Sequence, residues 1–214
     1  PDAPPFNHEA HKDTIRHFAN CYGDDNPLFC NEEYAEGTRW KGVIAPPQYI
    51  ITLESTTVPP IPKEVRKAGA GALRGVPNYL SGGNYEWVRP IQCGDQIRMN
   101  YFIEDVEEKR SEFGGGKAVI VHHRKEYINQ RDEMVAIRRF YFFHVEREAS
   151  EKTGKYTKAY EPTHYDEEYL GKIDEAYENE YRRGADTLYW EDVEPTMDMP
   201  TMVKGPLETK DMVL

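Results

Sequence analysis

Cysteine is scarce in this chain. Cys21, Cys30 and Cys93 are the only three, an odd number with no CxxC pair, which argues against a disulfide framework or a thiolate zinc site and suits reduced thiols. No apolar run approaches the roughly 18 residues that a membrane span requires. The opening PDAPPFNHEA lacks a basic stretch followed by an apolar one, so no secretory signal is expected and a cytoplasmic location follows. The first residue is not Met, which reads as a processed chain or a fragment. Positive charge is also in deficit: 27 Lys and Arg stand against 38 Asp and Glu, a net charge of −11. Nucleic acid is therefore an unexpected partner, because neutralising phosphates takes a cationic face. Most of the acidic excess lies in residues 161–194, which hold 12 acidic and 3 basic side chains.

What is present is a globular composition. Hydrophobic residues make up 38% of 214, with 15 Tyr, 8 Phe and 3 Trp, enough for a packed core, while the mean hydropathy of −0.81 keeps much of the chain wet. Residues 84–146 alternate or run apolar in the manner of strands. Ile97, Met99, Tyr101 and Ile103 share one face, and KAVIVHHRKEYIN and EMVAIRRFYFFHV are β-branched and aromatic. FGGG at 113–116 and NQRD at 129–132 separate them as turns, predicting strands near 84–90, 95–108, 117–129 and 132–146 in an antiparallel meander.

The flanks read as helical. Ile15, Phe18, Ala19 and Tyr22 form one apolar stripe, and Gly23 stands where a helix end needs positive φ. A short helical patch follows at 32–39. Pro46 and Pro47 start another helix that Pro59, Pro60 and Pro62 must stop, leaving about three turns. The Gly-rich, basic stretch 63–84 is predicted to be an irregular connection. Farther on, Thr163 and Asp166 suggest a capping pattern for a helix with Tyr165, Tyr169, Ile173, Tyr177 and Tyr181 at every fourth position, ending by Gly184. A strand-like opening comes after it, and the chain stops at Leu214 where a further helix would begin, an unusual place for an autonomous domain to end. Helices beside several long antiparallel strands argue for an α+β fold.

Four segments, FANCYGDDNPLF, EEYAEGTRWKGVIAPPQY, YEWVRPIQCGDQIRM and RRGADTLYWEDVEPTMDMPTMVKGPLETKDMV, together resemble the N-terminal half of the MaoC-like acyl dehydratases, the double hotdog-fold enoyl-CoA hydratases. The resemblance implies a hotdog: an antiparallel sheet wrapped around a central helix, here the shortened one after Pro47. It implies three regions: a hotdog domain over 1–150, an acidic helical linker over 151–185, and the first strand or strands of a second, incomplete hotdog over 186–214.

Hydrating a 2-enoyl thioester takes a base for the water, an acid for the α-carbon and donors for the thioester carbonyl. The family's loop for this has the form GD-x-N-P-x-H. Gly23, Asp24, Asn26 and Pro27 fit it, but Phe29 occupies the His position. Asp24 and Asn26 are thus the remnant catalytic pair, and each is equally readable as a turn residue bonding local backbone. Phe29, which has no proton to move, joins Ile44 and Tyr49 as candidate acyl-pocket lining, the competing reading being ordinary core. Arg39 and Lys41, with Lys63, Arg66, Lys67 and Arg74, are candidates for the phosphates of coenzyme A. The shortened central helix leaves room for a long or bulky acyl group.

The resemblance thus implies a non-catalytic half of an enoyl-CoA hydratase or dehydratase, acting on an acyl-CoA thioester with a second hotdog domain or subunit that brings the Asp and His. The alternatives are a hotdog thioesterase and a non-enzymatic acyl-binding or assembly module. No cofactor and no metal are implied. His122 and His123 are neighbours on a strand and face opposite ways, so they cannot chelate together.

Overall fold

A computed structural model describes residues 5–54, 61–110, 117–145, 164–181 and 188–205. The chain divides into two compact units, 1–158 and 159–214, each described by itself.

The first unit begins with helix α1, Lys12–Cys21, which buries Ile15 and Ala19 of the predicted stripe. Its amides end on Ala19 and Asn20 carbonyls as Gly23 turns at φ 65°. Two short helices follow, α2 (Pro27–Cys30) and α3 (Glu32–Gly37). The segment after Pro46 is not three α-turns but a seven-residue 3-10 helix, Pro47–Leu53, with Tyr49, Ile50 and Leu53 buried. Three residues per turn bring Ile50 and Leu53 into line on one side. Pro62 precedes helix α4, Lys63–Ala68, which buries nothing.

Four strands form one antiparallel sheet: β1 (Asn78–Trp87), β2 (Ile97–Lys109), β3 (Ala118–Asn129) and β4 (Met134–Val145), in the order β1-β4-β3-β2. The last three are the predicted meander. The first is not part of it: β1 pairs with β4 on the far edge, with Tyr85 opposite Arg138 and Trp87 opposite Ala136. It also starts at Asn78, inside the stretch expected to be irregular. Gly82 and Gly83 hide its alternation, yet both are required here. A Cβ on Gly82 would come within 2.6 Å of the Tyr141 hydroxyl, and one on Gly83 within 2.7 Å of the Arg139 carbonyl oxygen. The expected FGGG turn lies outside the described residues. The turn between β3 and β4 is the predicted one, with Asp132 at φ 60°, a conformation that Asp tolerates.

The core joins α1, the 3-10 helix and one face of the sheet through Ile15, Ala19, Tyr49, Ile50, Leu53, Ile91, Ile97, Tyr127 and Ala136. Helices covering one face of an antiparallel sheet make this an α+β hotdog.

In the second unit, helix α5 runs Glu167–Glu178, and the Asp166 carboxylate caps it by accepting from the Tyr169 amide at 2.8 Å. The helix therefore starts after Asp166 and ends before Gly184; Thr163 and Gly184 lie outside the described residues. Of the expected stripe, Tyr169, Ile173 and Tyr177 lie on the helix, while Tyr165 precedes it, its ring 5.4 Å from that of Tyr169, and Tyr181 follows it. Tyr177 accepts from the Gly205 amide at 2.9 Å and donates to the Gly205 carbonyl at 3.0 Å. The strand expected after 186 does not form in residues 188–205, which hold a 3-10 turn at Trp190–Asp192. A strand is stable only with a hydrogen-bonded neighbour, and no strand occurs among the described residues of this unit. No helix among the described residues is long and apolar enough to cross a membrane.

Candidate active site

The loop after α1 is built from side chains that bond their own backbone. Asp24 accepts from the Asn26 amide at 3.0 Å, and Asn26 in turn accepts from the Leu28 amide at 3.0 Å, capping α2 with Pro27 at its first position. Asn31 repeats the device for α3, accepting from the Tyr34 amide at 2.9 Å. The result turns Phe29 inward, where it is buried in the core. Cys30 beside it is half-buried, and burial followed by the nearby Asp24 charge pushes its thiol above the ordinary range.

Phe29 forms one wall of an apolar pocket of about 420 Å³, shared with Leu28, Trp40, Ile44, Trp87 and Arg89. Ile44 reaches it because residues 43–45 lie along residues 91–93: the Ala45 amide donates to the Ile91 carbonyl at 2.8 Å and the Cys93 amide to the Val43 carbonyl at 3.1 Å. Arg89 is held at the rim by its Nε, which donates to the Met134 carbonyl at 2.9 Å, and by an ion pair to Glu133.

The structure brings some of the predicted residues together and separates others. Asp24, Asn26 and Phe29 share the loop, and Phe29 and Ile44 share the pocket. The Arg39 guanidinium lies 4.3 Å over the Trp40 ring, a pocket wall. Lys41 is exposed next to it at φ 57°. Tyr49 is not at the pocket. Its ring is fully buried edge-on to Phe18 and its hydroxyl bonds Thr14 at 2.6 Å and Asn7 at 3.2 Å, so it is a core residue satisfied by α1 and the N-terminal segment. Lys63, Arg66, Lys67 and Arg74 are exposed on and after α4 and line no pocket described here. Trp40 and Trp87 were missed in sequence, although all three tryptophans of the chain fall within the four family-like segments, a legible signal.

A second polar group lies at the end of the 3-10 helix. The Glu54 carboxylate accepts from Lys125 Nζ at 2.5 Å and from the Tyr127 hydroxyl, with Arg138 at 3.9 Å. Burial, then Glu54, pushes the Tyr127 hydroxyl far above its ordinary value, keeping it a donor. Beside this cluster the buried His123 stacks on Phe140 with centroids 5.0 Å apart and bonds Tyr101 at 2.5 Å. Desolvation lowers the His123 value, and the imidazole is neutral at neutral pH.

Fold and loop together define a hotdog-fold protein of the MaoC-like dehydratase class. Residues 4–138 match the family described as "FAS1-like, dehydratase domain region", and the chain belongs to that family. It is 28% identical over 157 residues to a probable enoyl-CoA hydratase alpha subunit of Thermomonospora curvata, covering 69% of this chain and 49% of that one; the chain spans about half the length of this relative. Among solved structures, it is similar to the ChsH1-ChsH2 complex of Mycobacterium tuberculosis, with 16% identity, a TM-score of 0.52, and coverage of 68% of this chain and 88% of that one. It is also similar to a MaoC-like dehydratase, with 14% identity, a TM-score of 0.50, and coverage of 77% and 50%. These structural likenesses are likenesses of fold.

Proposed function

We propose that this chain is the non-catalytic, substrate-shaping hotdog half of an enoyl-CoA hydratase or dehydratase, acting in the reversible hydration of a 2-enoyl-CoA thioester. A second hotdog, on a partner chain or on further sequence, supplies the Asp and His. The observation that carries the reading is Phe29: where the family's loop has its imidazole, this chain has a buried ring walling an apolar pocket. The carboxylate and amide oxygens left in the motif are engaged with the loop's own amides, so they support the turn that aims the ring. The similarity to an enoyl-CoA hydratase alpha subunit supports the substrate class.

In this reading Asp24 and Asn26 are positioning residues, Phe29 and Ile44 contact the acyl group, and Arg39 and Lys41 face the anionic coenzyme A. An apolar pocket of this volume suits the acyl portion of such a thioester. The purified chain should bind 2-enoyl-CoA compounds without hydrating them. Hydration by this chain alone, abolished by Asp24→Asn, would sink the proposal; thioester hydrolysis by it would favour a thioesterase instead.

A further inference from the structure

The sheet face beyond the pocket carries an unbalanced charge. Tyr85, Arg138, Lys125 and Tyr101 form one row across all four strands, since Tyr85 pairs with Arg138, Arg138 with Lys125, and Lys125 with Tyr101. Residues opposite each other in a ladder share a face. Within the row are two cations, and the acid that meets them is Glu54. All three side chains are mostly out of water, at 15% exposure for Lys125, 18% for Glu54 and 22% for Arg138.

Glu54 is already committed. One of its oxygens takes Lys125 and the other takes Tyr127, leaving Arg138 at 3.9 Å, beyond hydrogen-bond reach. Among the described residues Arg138 makes no closer polar contact. What holds it is aromatic: its guanidinium lies 4.6 Å over the Phe140 ring and 5.3 Å over the Tyr85 ring. A guanidinium held by its faces keeps the N–H fork at its edge for a carboxylate.

One wall of the pocket is linked to this arginine by stacked rings. Trp87, which walls the pocket, stacks on Tyr85 at 5.1 Å and 7°, and Tyr85 lies under Arg138. Two residues along β1, at roughly 3.4 Å each, separate the pocket wall from the arginine's cross-strand partner. A half-buried cation with a partial counterion at the end of an apolar wall calls for an anion.

We infer that Arg138, with Lys125 behind it, is a specificity-determining site for the far end of the acyl group, and that the preferred acyl chain ends in a carboxylate. The inference rests on the acyl-thioester reading above. It is tested by equilibrium binding of octanoyl-CoA and of its analogue bearing a terminal carboxylate on an eight-carbon chain. Wild type binds the carboxylated compound at least about tenfold more tightly, the effect of one charge-assisted hydrogen bond. Arg138→Met removes that preference, bringing the ratio to near one. Arg138→Lys, which keeps the charge without the fork, keeps part of it. If wild type binds octanoyl-CoA at least as well as the carboxylated compound, or Arg138→Met retains the preference, the inference is wrong and the acyl-thioester reading stands. If neither compound binds, the acyl-thioester reading fails and takes this inference with it.

Discussion

Two polar clusters sit on this sheet and they are built on opposite plans. At the β3–β4 turn, Asp95 and Glu133 face Arg89 and Arg131, two acids against two bases. The buried Asp95 accepts from the Gln92 amide and from Arg131, both at 2.9 Å, and the buried Asn129 accepts from the Arg131 and Glu133 amides while donating to Glu133 at 2.8 Å. Each of those acids is closed by short bonds. The cluster under the 3-10 helix has one acid for two bases, and its arginine is held by rings. The balanced cluster fastens a turn, whereas the unbalanced one keeps a charge in reserve one ring away from the pocket wall at Trp87.

The sharpest way to break the comparison is to remove the single acid. Glu54→Ala leaves Lys125 and Arg138 facing each other without compensation and should cost about 3–5 kcal/mol in denaturant unfolding, the range for removing one partner of a buried ion pair. A loss under about 1 kcal/mol would mean the two cations are already solvated and the site is an ordinary surface. Asp95→Ala in the balanced cluster should cost less, about 1.5–3 kcal/mol, because the Arg131 it abandons is half exposed and finds water. Gly83→Ala tests the edge strand next to the reserve charge. It should cost about 1–3 kcal/mol, since the new methyl meets backbone that cannot step aside.

The smallest effect is one of pH. The Asn129, Arg131 and Arg89 hydrogen bonds hold the Glu133 carboxyl down to about 2. Its folded value lies below its unfolded one, so its contribution is complete above about pH 4.5 and is lost as pH falls through 2. Thermal unfolding of wild type and Glu133→Gln should therefore differ at pH 6 and converge by pH 2. Curves that stay parallel would place the turn's stability elsewhere.

Much of this was legible in the chain. Helix α1 and strands β2 to β4 follow from periodicity, because their apolar residues recur at the spacing of the face that packs. The first half of β1, before the predicted 84–90 strand, was not, since Gly82 and Gly83 erase alternation for a reason that exists only once Tyr141 and the Arg139 backbone lie across them. The site divides in the same way. Phe29 and Ile44, candidates for acyl contact from the motif and its flank, lie together at one apolar pocket. Tyr49 looks the same in sequence but turns to the core, because its hydroxyl finds Thr14 on α1. Its direction depends on a partner 35 residues away.

Sequence alone determined that the segments of β2 to β4 are strands, that the loop keeps Asp24 and Asn26, and that the imidazole position is Phe29; these are properties of local composition and spacing. The tertiary structure alone decided that β1 lies against β4, that Trp87 walls the pocket, and that Glu54 meets Lys125 across 71 residues of chain. Strand order and charge balance are set by contacts between distant segments, and local periodicity carries no information about which distant segment supplies the partner.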